Sequence, residues 1–118
     1  MFRRTAAFAA LALSLCAAPA LAQPDGEQLF AQQCRLCHDD EAMGPTLVGV
    51  ADRKVAAGSF EFSPALKAKG EAGATWTDAE LDAFLKAPTT YAPGSKMFMA
   101  VAADDNRAAI IAYLKTLK

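Results

Sequence analysis

The chain has 118 residues, with 12 basic and 13 acidic side chains and a formal net charge of −1. That length suits one domain, and the balance lacks the basic footprint that nucleic-acid binding needs. Hydrophobic residues make up 53% of the chain, and many of them lie in the first 22 positions.

Those positions open with Met1-Phe2-Arg3-Arg4, run from Ala6 to Ala18 almost without a polar group, and close on Ala20-Leu21-Ala22. A basic start, a short apolar run and a small-x-small site predict a cleaved secretory signal peptide over 1–22, followed by one domain over 23–118. Without Arg3 and Arg4 that domain carries 10 basic against 13 acidic residues, a net −3. A retained anchor is the weaker reading, because the run falls short of the about 20 apolar residues that span a bilayer and Pro19 interrupts its end. Lipid attachment at Cys16 is weaker too, since Leu15 stands where lipoprotein signals carry a small residue. The expectation is export to the periplasm, with no stable membrane insertion after cleavage.

From residue 25 onward the elements read as helices joined by long loops. Asp25 with Gln28 resembles a capping box and opens a first helix over roughly 25–36. Residues 39–62 contain Gly44-Pro45, Gly49 and Gly58 without sustained periodicity, and read as loops wrapped around something. Ser63-Pro64 starts a short helix that Gly70 stops. Thr77-x-x-Glu80 is a capping box for a helix carrying Leu81, Phe84 and Leu85, and Pro88 ends it. Asp104 and Asp105 favour the positive end of a last helix, whose apolar face is Ile110, Ile111, Leu114 and Leu117. No β alternation, hairpin signal or repeat is visible. The fold class is all-α, about four short helices with long loops.

Chemistry is concentrated in five residues. Once the signal is removed, Cys34, Cys37 and His38 are the whole inventory of thiols and imidazoles. They form Cys34-Arg35-Leu36-Cys37-His38, the C-x-x-C-H spacing of covalent haem c attachment. On a helix these positions fall at i, i+3 and i+4 on one side, so two thiols can bond a porphyrin while the imidazole turns towards iron. A zinc site wants more ligands than these three unless a carboxylate joins. A thioredoxin-type pair wants a βαβ context, and a Cys34–Cys37 disulfide would close too small a loop to stabilise much. Export fits the haem reading. One covalent haem would also give a short chain a flat apolar surface for Leu47, Phe60, Phe62, Leu66, Leu81 and Phe84 to pack on.

With a single histidine, a second axial ligand must come from Met43, Met97 or Met99. Met43 follows His38 too closely to reach across a ring. Met97 follows the turn Pro93-Gly94-Ser95-Lys96, which can fix an extended approach, and Met99 would face the same way two residues on. Any methionine can also be core filler.

These residues resemble the class I cytochromes c, the mitochondrial-type carriers and their short bacterial relatives. The resemblance runs from about Gly26 to the end. It rests on Gly26, Phe30, Cys-x-x-Cys-His, Gly44-Pro45-x-Leu47, Arg53-Lys54, Trp76-Thr77, Pro88, Tyr91-x-Pro93-Gly94-Ser95-Lys96-Met97 and Ile111-Ala112-Tyr113-Leu114-Lys115. It implies Met97 as sixth ligand, Pro45 as acceptor of the proton on the far nitrogen of His38, and Arg53 with Trp76 holding propionate charge. It also implies a crossing of the first and last helices, with Gly26 and Phe30 against Ile110 and Tyr113. Several positions depart from the family pattern. Phe62 and Phe84 stand where tyrosines are usual, Asp52 replaces a glycine and should set a carboxylate near Arg53, and Thr89 and Thr90 replace lysines. The stretch from Ala68 to Thr75 also runs slightly longer than in the shortest members.

The implied function is a soluble, monomeric, non-enzymatic carrier of single electrons between redox partners: a membrane oxidoreductase, an oxidase or a photosynthetic reaction centre. His38 and Met97 would leave iron no open position. Two other readings stay open: a fixed haem subunit of a larger complex, and a haem enzyme or gas-binding protein with a displaceable distal ligand. Lys67, Lys69, Lys86 and Lys96 suggest a modest positive rim on an acidic body.

Overall fold

The structure is a computed structural model that describes Ser14, Cys16 and residues 24–118 except Ala42. The expected signal peptide and its cleavage point therefore lie outside the described residues, save for Ser14 and Cys16. Six helices occur among the described residues: α1 Gly26–Gln33, α2 Arg35–His38, α3 Pro64–Glu71, α4 Asp78–Lys86, α5 Pro88–Tyr91 and α6 Asp104–Leu114. The only strand-like pairing there is an antiparallel bridge between Lys54 and Thr75. No helix among them is long and apolar enough to cross a membrane.

Asp25 caps α1, its carboxylate accepting from the backbone N–H groups of Glu27 and Gln28 at 3.0 and 3.2 Å, an arrangement that stabilises by about 1 kcal/mol. The single helix expected over 25–36 is instead two, because Cys34 leaves regular helical geometry at φ −113°. Its own N–H still bonds the Phe30 carbonyl at 2.8 Å, and the His38 N–H returns to the Cys34 carbonyl at 3.1 Å. The break keeps Cys34 buried while Leu36 stands in solvent.

The crossing of α1 on α6 needs a bare Cα. A Cβ on Gly26 would lie 2.1 Å from the Ala109 carbonyl oxygen. One turn on, Phe30 meets Tyr113 with ring centroids 5.1 Å apart. On α6, Ile110, Ile111 and Leu114 are buried as their spacing predicts, whereas Leu117 lies past the helix and is half-buried.

Two helix boundaries differ from the sequence reading for identifiable reasons. Gly70 does not stop α3. It is buried within the helix, where a Cβ would come 2.1 Å from the Val55 carbonyl oxygen. Termination falls to Gly73 at φ +92°, in a Schellman motif: Ala74 N–H bonds the Lys69 carbonyl at 3.0 Å and Gly73 N–H the Gly70 carbonyl at 2.9 Å. Pro88 ends α4 as expected but also opens α5, where its fixed φ suits the first helical position.

Close approach at Gly70 seats α3 against the segment that carries Arg53. Segment 52–55 pairs with 74–76 through Asp52 N–H to the Trp76 carbonyl, Trp76 N–H to the Arg53 carbonyl and Val55 N–H to the Ala74 carbonyl, at 2.8–2.9 Å. If Gly70 were only an interior helical residue with open space around it, alanine there would stabilise by about 0.5–1 kcal/mol. The structure predicts the opposite sign: Gly70→Ala should cost about 1–3 kcal/mol through backbone displacement, seen as a lower urea midpoint.

Candidate functional site

A cavity of about 220 Å³ opens between these elements. Cys34, Cys37 and His38 line it from the α1–α2 turn, and Pro45, Arg53, Trp76 and Met97 line it from four other segments. Every residue singled out as a candidate ligand or neighbour is thus brought to one place. The apolar positions expected to pack on a cofactor, Leu47, Phe60, Phe62, Leu66, Leu81 and Phe84, line the same cavity.

His38 is held in one orientation. Its Nδ1–H donates to the Pro45 carbonyl oxygen at 2.7 Å. A carbonyl can only accept, so this bond puts the proton on Nδ1 and leaves the Nε2 lone pair free to bind a metal. Gly44 presses on the ring: a Cβ there would meet imidazole atoms at 2.7 and 2.8 Å. By its sequence Gly44 shows only as a loop residue of the Gly44-Pro45 pair, and this contact is not predicted. Its position immediately before Pro45 is the signal that could have found it.

Cys34 and Cys37 are free thiols. Burial, followed by the nearby Cys37, pushes the Cys34 thiol up to about 11, so it is protonated at neutral pH. Among the described residues no group of three or more His, Cys, Asp and Glu side chains is arranged to hold a metal ion, so no carboxylate joins these residues there to make the zinc alternative.

Arg53 shows what the cavity wall requires. Its Nη2 donates to the Thr46 carbonyl at 2.9 Å and Nη1 to the Val48 carbonyl at 3.4 Å. Its Nε is buried without a hydrogen-bond partner. The expected neighbour carboxylate does not pair with it: Asp52 is exposed, at φ +63°, in the left-handed backbone region that favours glycine. Burial lowers the Arg53 pKa, yet an arginine stays charged at any ordinary pH. A half-buried cation with an orphaned donor, beside apolar walls and two thiols, fits a flat apolar cofactor bearing carboxylates. Haem c has that shape and charge.

Trp76 is fixed beside Arg53 by the backbone pair described above. Its indole stacks on Tyr91 with centroids 5.8 Å apart and packs on Phe84 at 5.1 Å. Among the methionines lining the cavity, Met97 is half-buried and packs against the core, while Met43 and Met99 are exposed. The Ser95 hydroxyl donates to the Met97 carbonyl at 2.8 Å.

The spacing Thr77-x-x-Glu80 predicts Glu80 as the return half of a capping box. The forward half exists, with Thr77 Oγ1 accepting from Glu80 N–H at 3.3 Å. The Glu80 carboxylate, however, accepts from the Tyr91 hydroxyl, and Lys69 Nζ lies 4.2 Å over the Tyr91 ring. Burial first, and then Glu80, raise the Tyr91 pKa. Of the four rim lysines, Lys96 alone lines the cavity. Lys96 donates to the Glu61 carbonyl and Lys67 pairs with the Glu61 carboxylate at 2.7 Å, so one acidic residue offsets part of the rim.

Comparison with known proteins agrees with this geometry. The sequence profile of the family "Cytochrome c" matches residues 24–118. A cytochrome c from Tetrahymena pyriformis is 40% identical over 96 residues, covering 78% of this chain and 85% of that protein. A cytochrome c2 from Rhodopseudomonas palustris is 39% identical over 110 residues, covering 79% and 96%. Among solved structures, cytochrome cH from Methylobacterium extorquens matches with a TM-score of 0.68 at 42% identity over 77% of this chain and 94% of that one. Ferricytochrome c2 from Rhodopseudomonas palustris matches with a TM-score of 0.72 at 33% identity, over 79% and 96%.

The Tyr91–Glu80 pair has a titratable consequence. The fold favours the neutral phenol, so its stabilisation is complete below the ordinary tyrosine value of about 10 and is lost as pH rises towards the higher folded value. Ultraviolet titration should find one tyrosine ionising late, and Glu80→Gln should bring that ionisation to lower pH.

Proposed function

This chain belongs to the cytochrome c family, and on that ground we propose that it shuttles single electrons between redox partner proteins outside the cytoplasmic membrane, using a haem c held by Cys34, Cys37, His38 and Met97. Family members carry one covalently attached haem c and are electron carriers, not enzymes. The observation that carries the residue assignment is the His38–Pro45 bond, which aims a free Nε2 within the cavity that also contains both thiols and Met97.

When bound, haem c supplies a reversible one-electron Fe(III)/Fe(II) couple. Cys34 and Cys37 would hold it through two thioethers, which fix it to the α1–α2 turn. His38 Nε2 and the Met97 sulfur would hold the iron, a ligand pair that raises the potential relative to harder sets. The Pro45 carbonyl fixes the imidazole orientation and keeps the proton on Nδ1. Arg53, with an unpaired Nε, and the Trp76 indole would face propionate charge. Phe62 and Phe84 bring no hydroxyl to the cavity, so neither adds a donor near a propionate or the Met97 sulfur.

The leader over 1–22 supports export and cleavage after Ala22, leaving a soluble periplasmic monomer. Partners would be a membrane oxidoreductase, an oxidase or a photosynthetic reaction centre, met through a small and short-lived interface.

Mass spectrometry of the exported protein should show residues 23–118 plus one haem that survives acid-acetone extraction. Extractable haem would refute attachment through Cys34 and Cys37. Met97→Ala should abolish the methionine–iron absorption band of the ferric protein while Met99→Ala keeps it. The reverse pattern would move the axial assignment to Met99.

A further inference from the structure

Arg107 lies outside the cavity, yet its side chain is only 3% exposed. Burying a guanidinium is costly unless its donors are used and its charge is met. Here Nε donates to Asp82 of α4 at 2.8 Å, and Nη2 to Asp104 in the first turn of α6. The remaining nitrogen, Nη1, donates to two backbone carbonyls, those of Val101 and Ala102, both at 2.9 Å.

Those carbonyls belong to the loop that carries Met97. The loop is held on its outgoing side by the Ser95 hydroxyl on the Met97 carbonyl. On its return side it is held by Val101 N–H on the Leu85 carbonyl at 2.8 Å and by Arg107. Between the two anchors Phe98, Met99 and Ala100 are exposed, so packing does little to restrain them. The N-cap of α6 is Ala103, which has no side-chain acceptor. Arg107 therefore ties the loop to both α4 and α6 at a point where the helix itself offers no cap.

We propose that Arg107 is a positioning residue for Met97: it clamps the return end of the methionine loop and thereby limits how readily Met97 leaves the iron. This rests on the reading of Met97 as axial ligand. A loop anchored at both ends has little freedom to swing a ligand away. Loosening one anchor lengthens the free segment and raises the population of the open state, and an external ligand's apparent affinity scales with that population.

The test uses ferric holoprotein and imidazole as the competing ligand. Arg107→Lys keeps a positive charge beside Asp82 but cannot bridge two carbonyls and two carboxylates at once. It should bind imidazole about tenfold more tightly than the parent, by that population shift, and lose its methionine–iron band at a urea concentration where far-ultraviolet dichroism still reports intact helices. Lys115→Ala serves as the control, since it removes another α6–α4 ion pair, Lys115–Asp78 at 3.0 Å, without touching the loop. It should change global stability little and leave imidazole affinity at the parental value. Parental affinity in Arg107→Lys, or affinities that follow global stability alike in both variants, would overturn the clamp. Should Arg107→Lys fail to fold, amide exchange in the parent decides. The Val101 N–H should exchange only through global unfolding, and exchange by a low-energy local opening would refute the proposal. A band that persists in Met97→Ala would refute the ligand assignment itself. Loss of that band together with parental imidazole affinity in Arg107→Lys refutes only the clamp.

Discussion

The close approach of α1 and α6 at Gly26 is the constraint from which the rest of the molecule hangs. The missing Cβ lets the α1 backbone lie against the Ala109 carbonyl, and Phe30 on Tyr113 completes the contact. Each helix then delivers one side of the site. Helix α1 runs directly into Cys34 and, after a turn, Cys37 and His38. Helix α6 receives the chain as it returns from Met97 and holds that return through Arg107. The first and last helices of the described residues are thus made to converge on one cavity.

Inside that frame the cavity wall is built from backbone constraints more than from side-chain packing. Gly44 and Pro45 act as a pair, one pressing the imidazole face and the other accepting its proton. Gly70 lets α3 press on Val55, and the 52–55 segment pairs with 74–76 to set Arg53 next to Trp76. Each contact is short and directional, so a change of a few tenths of an ångström at a glycine would be felt by a ligand or a charge across the cavity. This suits an electron carrier, whose ligands and surroundings should change little between oxidation states.

The charge arrangement is mixed in sign around the cavity. Arg53 presents an unneutralised cation to the cavity, since Asp52 turns to solvent. At the rim Glu61 engages both Lys67 and Lys96, and Lys69 lies over Tyr91. With Thr89 and Thr90 uncharged and the domain net acidic, long-range attraction to an acidic partner is diluted. Exposed Phe98 beside Met97 adds apolar surface next to the Met97 side of the cavity.

Much of this was legible in the sequence. The covalent cofactor followed from Cys34-x-x-Cys37-His38 because ligand chemistry at that spacing has few other uses, and the helices followed from caps at Asp25, Ser63 and Thr77, which act over three or four residues. Local signals failed where two outcomes use the same residue. Gly70 reads as a stop by composition, but only the approach of Val55 shows it to be an interior contact, and Gly73 is the true terminator. Glu80 reads as a capping residue, but Tyr91, eleven residues away, takes its carboxylate. Asp52 adjoins Arg53 in sequence, yet a positive φ turns it away. Arg107 gives no signal of its role, because its partners lie on α4, on α6 and in the loop. Sequence alone determined the inventory of thiols, imidazole and methionines, and the helical segments, since both are read from the chain order itself. Only the tertiary structure decided which glycines carry close contacts and which charges find partners, because those depend on distances between segments that the chain order does not contain.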